Sequence, residues 1–430
     1  MNGNVESQQI QNAEFLEAMA TSIESADPMS ILTMCLPVFV VAFLVTLLVT
    51  PLYRRLAFAL DVVDRPNDAR KIHTRTTPYL GGLAVATGLL VGLLVSYPLS
   101  EQWPVGYRMV PIWIVVGMLI ICLTGFLDDL TEFDSWIKVS GMLVAAAGLA
   151  VSNVGTRVAA GLLDWLFGIE QLYWTIPLID LNMDLTDLIG GGIIGIFVLG
   201  GCNATNLIDG LDGLLTGVTA IVAIGLLALS LVLVDYIMPI DVLRLQQSIG
   251  TPAQAFDEGV TLAGARVVLC LALLGATLGF LPHNFNPATI FLGDCGSLLL
   301  GYVCVVIILM LGEAGQTHLV LAGLIIFSIP IIDTLLAIVR RRIQGKSFWD
   351  PDAKHLHHIL KRRLGGVKSA VLSLYGLGAF FALLGAGLGI LHLLGHIRVL
   401  LIYVVFIVIM LLTACLGWKM GRDEQKAEAK

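Results

Sequence analysis

The sequence predicts an all-α polytopic membrane protein with about eleven transmembrane helices. Three observations carry this. Of 430 residues, 57% are hydrophobic and 13% charged, whereas soluble domains carry about 25% charged residues. Mean hydropathy is +0.89. The apolar residues also fall into runs close to the roughly 20 residues that a span needs. A soluble protein is excluded, and no nucleic-acid partner is expected.

The candidate spans, in order, are 31–53, 80–98, 110–127, 137–153, 188–205, 214–236, 263–281, 291–311, 318–339, 371–394 and 397–418. Residues 1–30 form a polar, acidic segment without the basic n-region of a signal peptide. Residues 31–418 read as one transmembrane domain and 419–430 as a solvated tail. With the N-terminus outside, 20 of the 25 Lys and Arg fall in the inner segments, so the positive-inside rule sets that orientation, with a cytosolic C-terminus. Between the fourth and fifth spans, Gln171 to Pro177 predicts a short strand or hairpin on the outer side. Residues 237–262 form a second outer segment. The seven cysteines show no C-x-x-C or zinc spacing, so free thiols are expected.

Polar clusters then stand out at the inner ends of the spans, where acids near a bilayer are costly and point to function. In the first inner loop, Pro78 followed by Gly81-Gly82 puts a tight turn at the mouth of the second span. Lys71 and His73 in that loop could reach a nucleotide anion, or could simply face anionic lipid. Asp128-Asp129 are adjacent carboxylates that repel unless a cation or proton lies between them. Asn203, Asn206, Asp209 and Asp212 recur every three residues, which on a helix places them along one stripe.

The string Asn284 to Ser297 includes Phe291-Leu-Gly-Asp294, with Asp294 opening a helix. Backbone N–H groups there attract phosphate, and a carboxylate beside them suits Mg²⁺, which prefers oxygen ligands shared with substrate phosphates. Phe291 could stack on a base, although a lone aromatic is as readily lipid-facing. His355, His357 and His358 lie among cations. Phosphate binding or proton transfer suits them better than zinc, because no Cys or acid beyond Asp350 and Asp352 stands at ligand spacing. Pro330 predicts a kink in the ninth span. Asp333 needs a buried partner, such as a nearby Arg.

Together the strings Arg70-Lys71…Pro78-Tyr-Leu-Gly-Gly82, Gly125-Phe-Leu-Asp-Asp129, Asn203 to Gly213, Asn284…Ser297 and His355-Leu-His-His358 resemble the polyprenyl-phosphate N-acetylhexosamine-1-phosphate transferase family. The resemblance implies transfer of a sugar-1-phosphate from a UDP-sugar to a polyprenyl phosphate, with Mg²⁺ (Mn²⁺ as an alternative) and release of UMP, at the cytosolic face of a bacterial inner membrane. It implies Asp294 as metal ligand. It puts Phe291, Lys71, Asn284 and Asp209 on the nucleotide, with Asp212 supporting that pocket and Asn203 and Asn206 beside it. Asp128 and Asp129 would lie by the lipid phosphate, with Asp128 the proposed base. The three histidines would engage the diphosphate or sugar.

The spaced His-x-His-His and Pro330-Ile-Ile-Asp-Thr334 look like the WecA branch, which uses UDP-N-acetylglucosamine. The MraY-like peptidoglycan branch typically shows three adjacent His. A secondary transporter is the rival from another class, but such sites lie near the bilayer midplane in repeats. The sequence leaves a homodimer open.

Overall fold

The computed structural model describes residues 28–65, 76–100, 108–131, 134–169, 172–176, 181–236, 261–313, 315–345 and 355–428. The helices, in order, are α1 (Pro28–Ala59), α2 (Gly81–Leu99), α3 (Ile112–Thr131), α4 (Ser135–Val151), α5 (Arg157–Phe167), α6 (Leu185–Ile208), α7 (Leu214–Tyr236), α8 (Ala263–Asn284), α9 (Gly293–Met310), α10 (Thr317–Ile326), α11 (Ser328–Ile343), α12 (Leu356–Leu364), α13 (Val367–Leu393) and α14 (Val399–Glu428). Two small antiparallel pairs join them: β1 (Val63–Asp64) with β2 (Thr77–Pro78), and β3 (Tyr173–Ile176) with β4 (Leu181–Asp184).

Each predicted span has a helical counterpart. Among the described residues nine helices are long and apolar enough to cross a membrane, or ten with the bent pair α10–α11 taken as one span. The fourth candidate, α4, has 17 residues. The ninth is broken rather than kinked: α10 and α11 meet at 81° around Phe327. Pro330 sits in the first turn of α11, where its missing N–H has no helical partner to lose. The predicted hairpin is β3–β4, and Asp184 caps α6 by accepting the Thr186 N–H at 2.8 Å. The helix α5 was not anticipated; its Trp165 stacks on Tyr403 of α14 at 4.2 Å. Residues 419–428, expected as a tail, continue α14. Residues 237–260 lie outside the described residues.

The centre of the bundle is α8 and α9, with 83% and 89% of their most apolar windows buried. Away from Arg266 and Asp294 at their ends, both are apolar around their circumference, as helices surrounded by others are. α1 and α14, at 28% and 17%, leave most of their surface to lipid. Small residues bring the backbones together around the start of α9. A Cβ on Gly82 of α2 would collide with the backbone of Cys295 and Gly296, and one on Gly125 of α3 with the Asp294 carbonyl. The turn at the mouth of α2 has a defined partner. Phe291 N–H donates to Pro78 O at 2.8 Å, Gly81 N–H to Phe291 O at 3.0 Å, and Gly82 N–H to Leu292 O at 2.7 Å. Two motifs more than 200 residues apart thus form one backbone ribbon at one end of the bundle.

Candidate active site

At that end, α3, α4, α6 and α9 deliver four polar side chains to one point. Asp294, in the first turn of α9, accepts from Asn206 Nδ2 at 2.8 Å and from Lys138 Nζ at 2.7 Å. The same Lys138 ammonium lies 2.6 Å from Asp128 Oδ2. Asn206 also donates to Ser297 Oγ at 3.0 Å. Two carboxylates from distant helices therefore share one cation. This is how the repulsion expected at Asp128-Asp129 is relieved for Asp128. Lys138 escaped the sequence reading, because a lone Lys at the start of a span looks like any positive-inside residue.

Asp129 resolves its charge differently. Its carboxylate accepts the Asp294 N–H at 2.8 Å and the Cys295 N–H at 3.1 Å. It caps α9, where the helix dipole favours negative charge. The backbone N–H groups expected to attract phosphate are thus held by the protein's own carboxylate, and that expectation is corrected.

The stripe expected from Asn203 to Asp212 is also corrected. α6 ends at Ile208, and Asp209 to Gly213 form a turn, with Gly213 at φ +78°. Asn203 donates to Leu199 O at 2.7 Å and faces Met142 at 3.6 Å, away from the cluster. Asn206 does converge, as described. Asp212 accepts from Asn286 Nδ2 at 2.8 Å and Ala288 N–H at 3.0 Å, so it holds the loop that leads to Phe291. Asn284 is buried. Its oxygen accepts from Thr216 Oγ1 and the Gly213 N–H, and its amide donates to Ile290 O, which ties this turn to the same loop.

A cavity of about 790 Å³ opens here, and its walls include Asp129, Asp209, Asp212, Phe291, Asp294 and His358. The Phe291 ring lies 5.8 Å from that of Tyr79. Burial and a hydrogen bond to Asp64 push the Tyr79 hydroxyl well above its ordinary pKa. Asp209 faces the cavity among acids. Burial, then Asp294, Asp129 and Asp212, push its carboxyl up to about 8. Lys71 and His73 lie outside the described residues.

The histidines separate into two groups. His355 and His357 are buried, at 6% and 1% exposure. His355 Nδ1 lies 3.0 Å from Asp333 Oδ2, so the partner of Asp333 found here is a histidine where an Arg was expected. His357 packs under Gly210, where a Cβ would collide with its ring. Only His358 lines the cavity. Burial, followed by His357, His355 and Lys361, brings its imidazole down to about 4, so at neutral pH it offers a hydrogen bond and no charge.

The donor set fits a hard divalent cation. Asp294 and Asp128 present carboxylate oxygens, Asn206 steadies Asp294 through its amide N–H, and the Lys138 ammonium between the two carboxylates shows that the place suits positive charge. Among the described residues no three His, Cys, Asp or Glu form a metal cage. Mg²⁺ needs none, since it takes one or two carboxylates and completes its shell with water and substrate phosphates.

The sequence model of the family described as Glycosyl transferase family 4 matches residues 111–312, which run from α3 to the end of α9 and include Asp128, Lys138, Asn206 and Asp294. A probable undecaprenyl-phosphate N-acetylglucosaminyl 1-phosphate transferase of Bacillus subtilis (strain 168) is 31% identical over 349 residues, 80% of this chain and 82% of the relative. A decaprenyl-phosphate N-acetylglucosaminephosphotransferase of Mycolicibacterium smegmatis is 31% identical over 356 residues, 78% and 77% of the two chains. The undecaprenyl-phosphate alpha-N-acetylglucosaminyl 1-phosphate transferase of Escherichia coli (strain K12) is 27% identical over 329 residues, 74% of each. At 31% identity over 80% of its length, a stretch that contains the acid cluster, this multi-pass membrane protein belongs to the polyprenyl-phosphate N-acetylhexosamine-1-phosphate transferases of Glycosyl transferase family 4.

Proposed function

We propose that the protein transfers N-acetylglucosamine-1-phosphate from UDP-N-acetylglucosamine to undecaprenyl phosphate, releasing UMP, at the cytosolic face of a bacterial inner membrane. The observation that carries this is the meeting of Asp128, Lys138, Asn206 and Asp294 at one end of the bundle beside the cavity. The relatives' printed substrates supply the sugar and the lipid. Undecaprenyl and decaprenyl phosphate both occur among the relatives' printed acceptors.

Joining two phosphates means bringing anions together, so the site must neutralise charge and align the partners more than form covalent bonds. Mg²⁺ held by Asp294 and Asp128 would supply charge stabilisation on the diphosphate. Lys138 keeps those two carboxylates together and adds a positive charge of its own. Asn206 orients Asp294. Asp129 fixes the first turn of α9 that presents Asp294. Phe291 offers a face for the uracil, and Asp212 and Asn284 hold the loop that presents it. The lipid phosphate, with a second pKa near 6, is largely dianionic at pH 7, so Asp128 has at most a residual proton to take. His358 donates or accepts one hydrogen bond at the cavity wall.

The transporter reading loses its support, because Asp128 and Asp294 meet at one end of the bundle, and Asp333 on the broken span is taken up by His355 and the Leu356 N–H. The test is a panel of UDP-sugars offered to purified protein with Mg²⁺ and undecaprenyl phosphate, with the lipid product identified by mass. UDP-N-acetylglucosamine is expected to give the product. A preference for a muramoyl-pentapeptide donor would overturn the sugar assignment, and absence of any lipid product would overturn the reaction.

A further inference from the structure

Asp333 is the most deeply buried acid among the described residues, and the transfer chemistry leaves it unused. It lies in α11, six positions after the break at Phe327, and is 1% exposed. A buried carboxylate is costly unless hydrogen-bonded. Its partners come from the histidine segment more than 20 residues downstream. Oδ2 lies 3.0 Å from His355 Nδ1, and Oδ1 accepts the Leu356 N–H at 2.6 Å. His357 Nδ1 is 3.8 Å away.

The helix α12 needs such a tether. It has nine residues, too few to be stable alone. Its own N-cap, His355, makes no side-chain capping bond. The Leu356 N–H is one of the orphan donors of its first turn, and Asp333 satisfies it from another helix, with its charge at the favourable end of the dipole. A carboxylate only accepts, so His355 Nδ1 carries the hydrogen. From this clamp the segment runs inward: His357 is wedged under Gly210, its ring 4.2 Å from that of His358, and His358 reaches the cavity.

We propose that Asp333 is a positioning residue of the transferase: by clamping His355 and the first turn of α12, it fixes where His358 meets the substrate. This rests on the transfer reading above, and the experiment separates the two. UMP release by the parent protein tests the transfer itself. Amide hydrogen exchange over residues 355–364 tests the clamp with no need of activity. Asp333→Asn keeps an oxygen for the Leu356 N–H but sets an amide against His355. It is expected to speed exchange over 355–364 by about tenfold or more while leaving α9 unchanged.

In the active parent, Asp333→Asn is expected to lower kcat/KM by about tenfold, and Asp333→Asn/His358→Ala is expected to be no worse than His358→Ala alone. His355→Asn, whose amide donor replaces Nδ1–H, is expected to retain about five times the kcat/KM of His355→Ala. Losses that multiply in the double variant would overturn the proposal. So would parent-like exchange over 355–364 in Asp333→Asn, or an Asn at 355 no better than Ala. Should Asp333→Asn fail to fold, the comparison at position 355 decides.

Discussion

Lys138 sets the charge balance of the site. Without its ammonium, Asp128 and Asp294 would face one another with no positive side chain between them. Removing one member of a fully buried charge set costs about 3–5 kcal/mol. Lys138 is 26% exposed, which brings the expected loss in Lys138→Met to about 1–2 kcal/mol of stability. Activity is expected to fall by about 100-fold or more. Thermal unfolding and UMP release measure the two effects, and parent-like activity in this variant would remove Lys138 from the site.

Asp209 gives a pH signature of opposite sign to that of most acids. Its native pKa of about 8 lies above the ordinary 3.8, so between those values the native state holds a proton that the unfolded chain releases. Stability therefore falls as pH rises through that window. Asp209→Asn removes the penalty. Without ligands, the thermal midpoint of the variant relative to the parent is expected to climb from pH 5 to pH 8. A flat difference would contradict the crowding of carboxylates around Asp209. Asp128, Asp129, Asp209, Asp212 and Asp294, which the structure gathers at one end of the bundle, were legible in the sequence because charge at the end of an apolar run is conspicuous. The sequence did not show how they are held. Asp129 caps a helix and Asn203 faces Met142, and spacing alone carries neither fact.

At the scale of elements, the site depends on how closely α2 and α3 approach the start of α9. The contacts at Gly82 and Gly125 are backbone on backbone, so no side chain can swing aside. Gly82→Ala is expected to cost about 2–3 kcal/mol, as overpacking does, and to displace Asp294. Lost activity with a lowered thermal midpoint is the expected outcome, and a neutral Gly82→Ala would refute the packing. The turn at Pro78 to Gly82 was legible through its Pro and paired Gly. Its partner strand at Phe291 was not legible, since nothing local encodes a backbone ribbon between residues 78 and 291. Span positions were legible because burial in lipid is written in composition. The break at Phe327 was misplaced to Pro330 because a proline in a first turn continues a helix it would interrupt elsewhere.

Transfer at one membrane face requires the whole molecule to have one sidedness. The cluster, the basic α12 and the end of α11 with Arg340, Arg341 and Arg342 share the end proposed to be cytosolic. The β3–β4 hairpin, with Trp174 58% exposed, lies at the other. In a Cys415→Ser background the remaining cysteines are buried. An impermeant maleimide applied to the outer face is then expected to label Trp174→Cys and to leave Arg363→Cys unlabelled until the membrane is opened. The reverse pattern would invert the orientation read from the Lys and Arg distribution.

UMP release checks whether acids from separate helices make one phosphate-transfer centre. Purified protein in detergent with Mg²⁺ is predicted to release UMP only when both UDP-N-acetylglucosamine and polyprenyl phosphate are present, and Asp294→Ala to release none at any Mg²⁺ concentration. Turnover in Asp294→Ala, or no UMP from the parent protein with both substrates supplied, would contradict it.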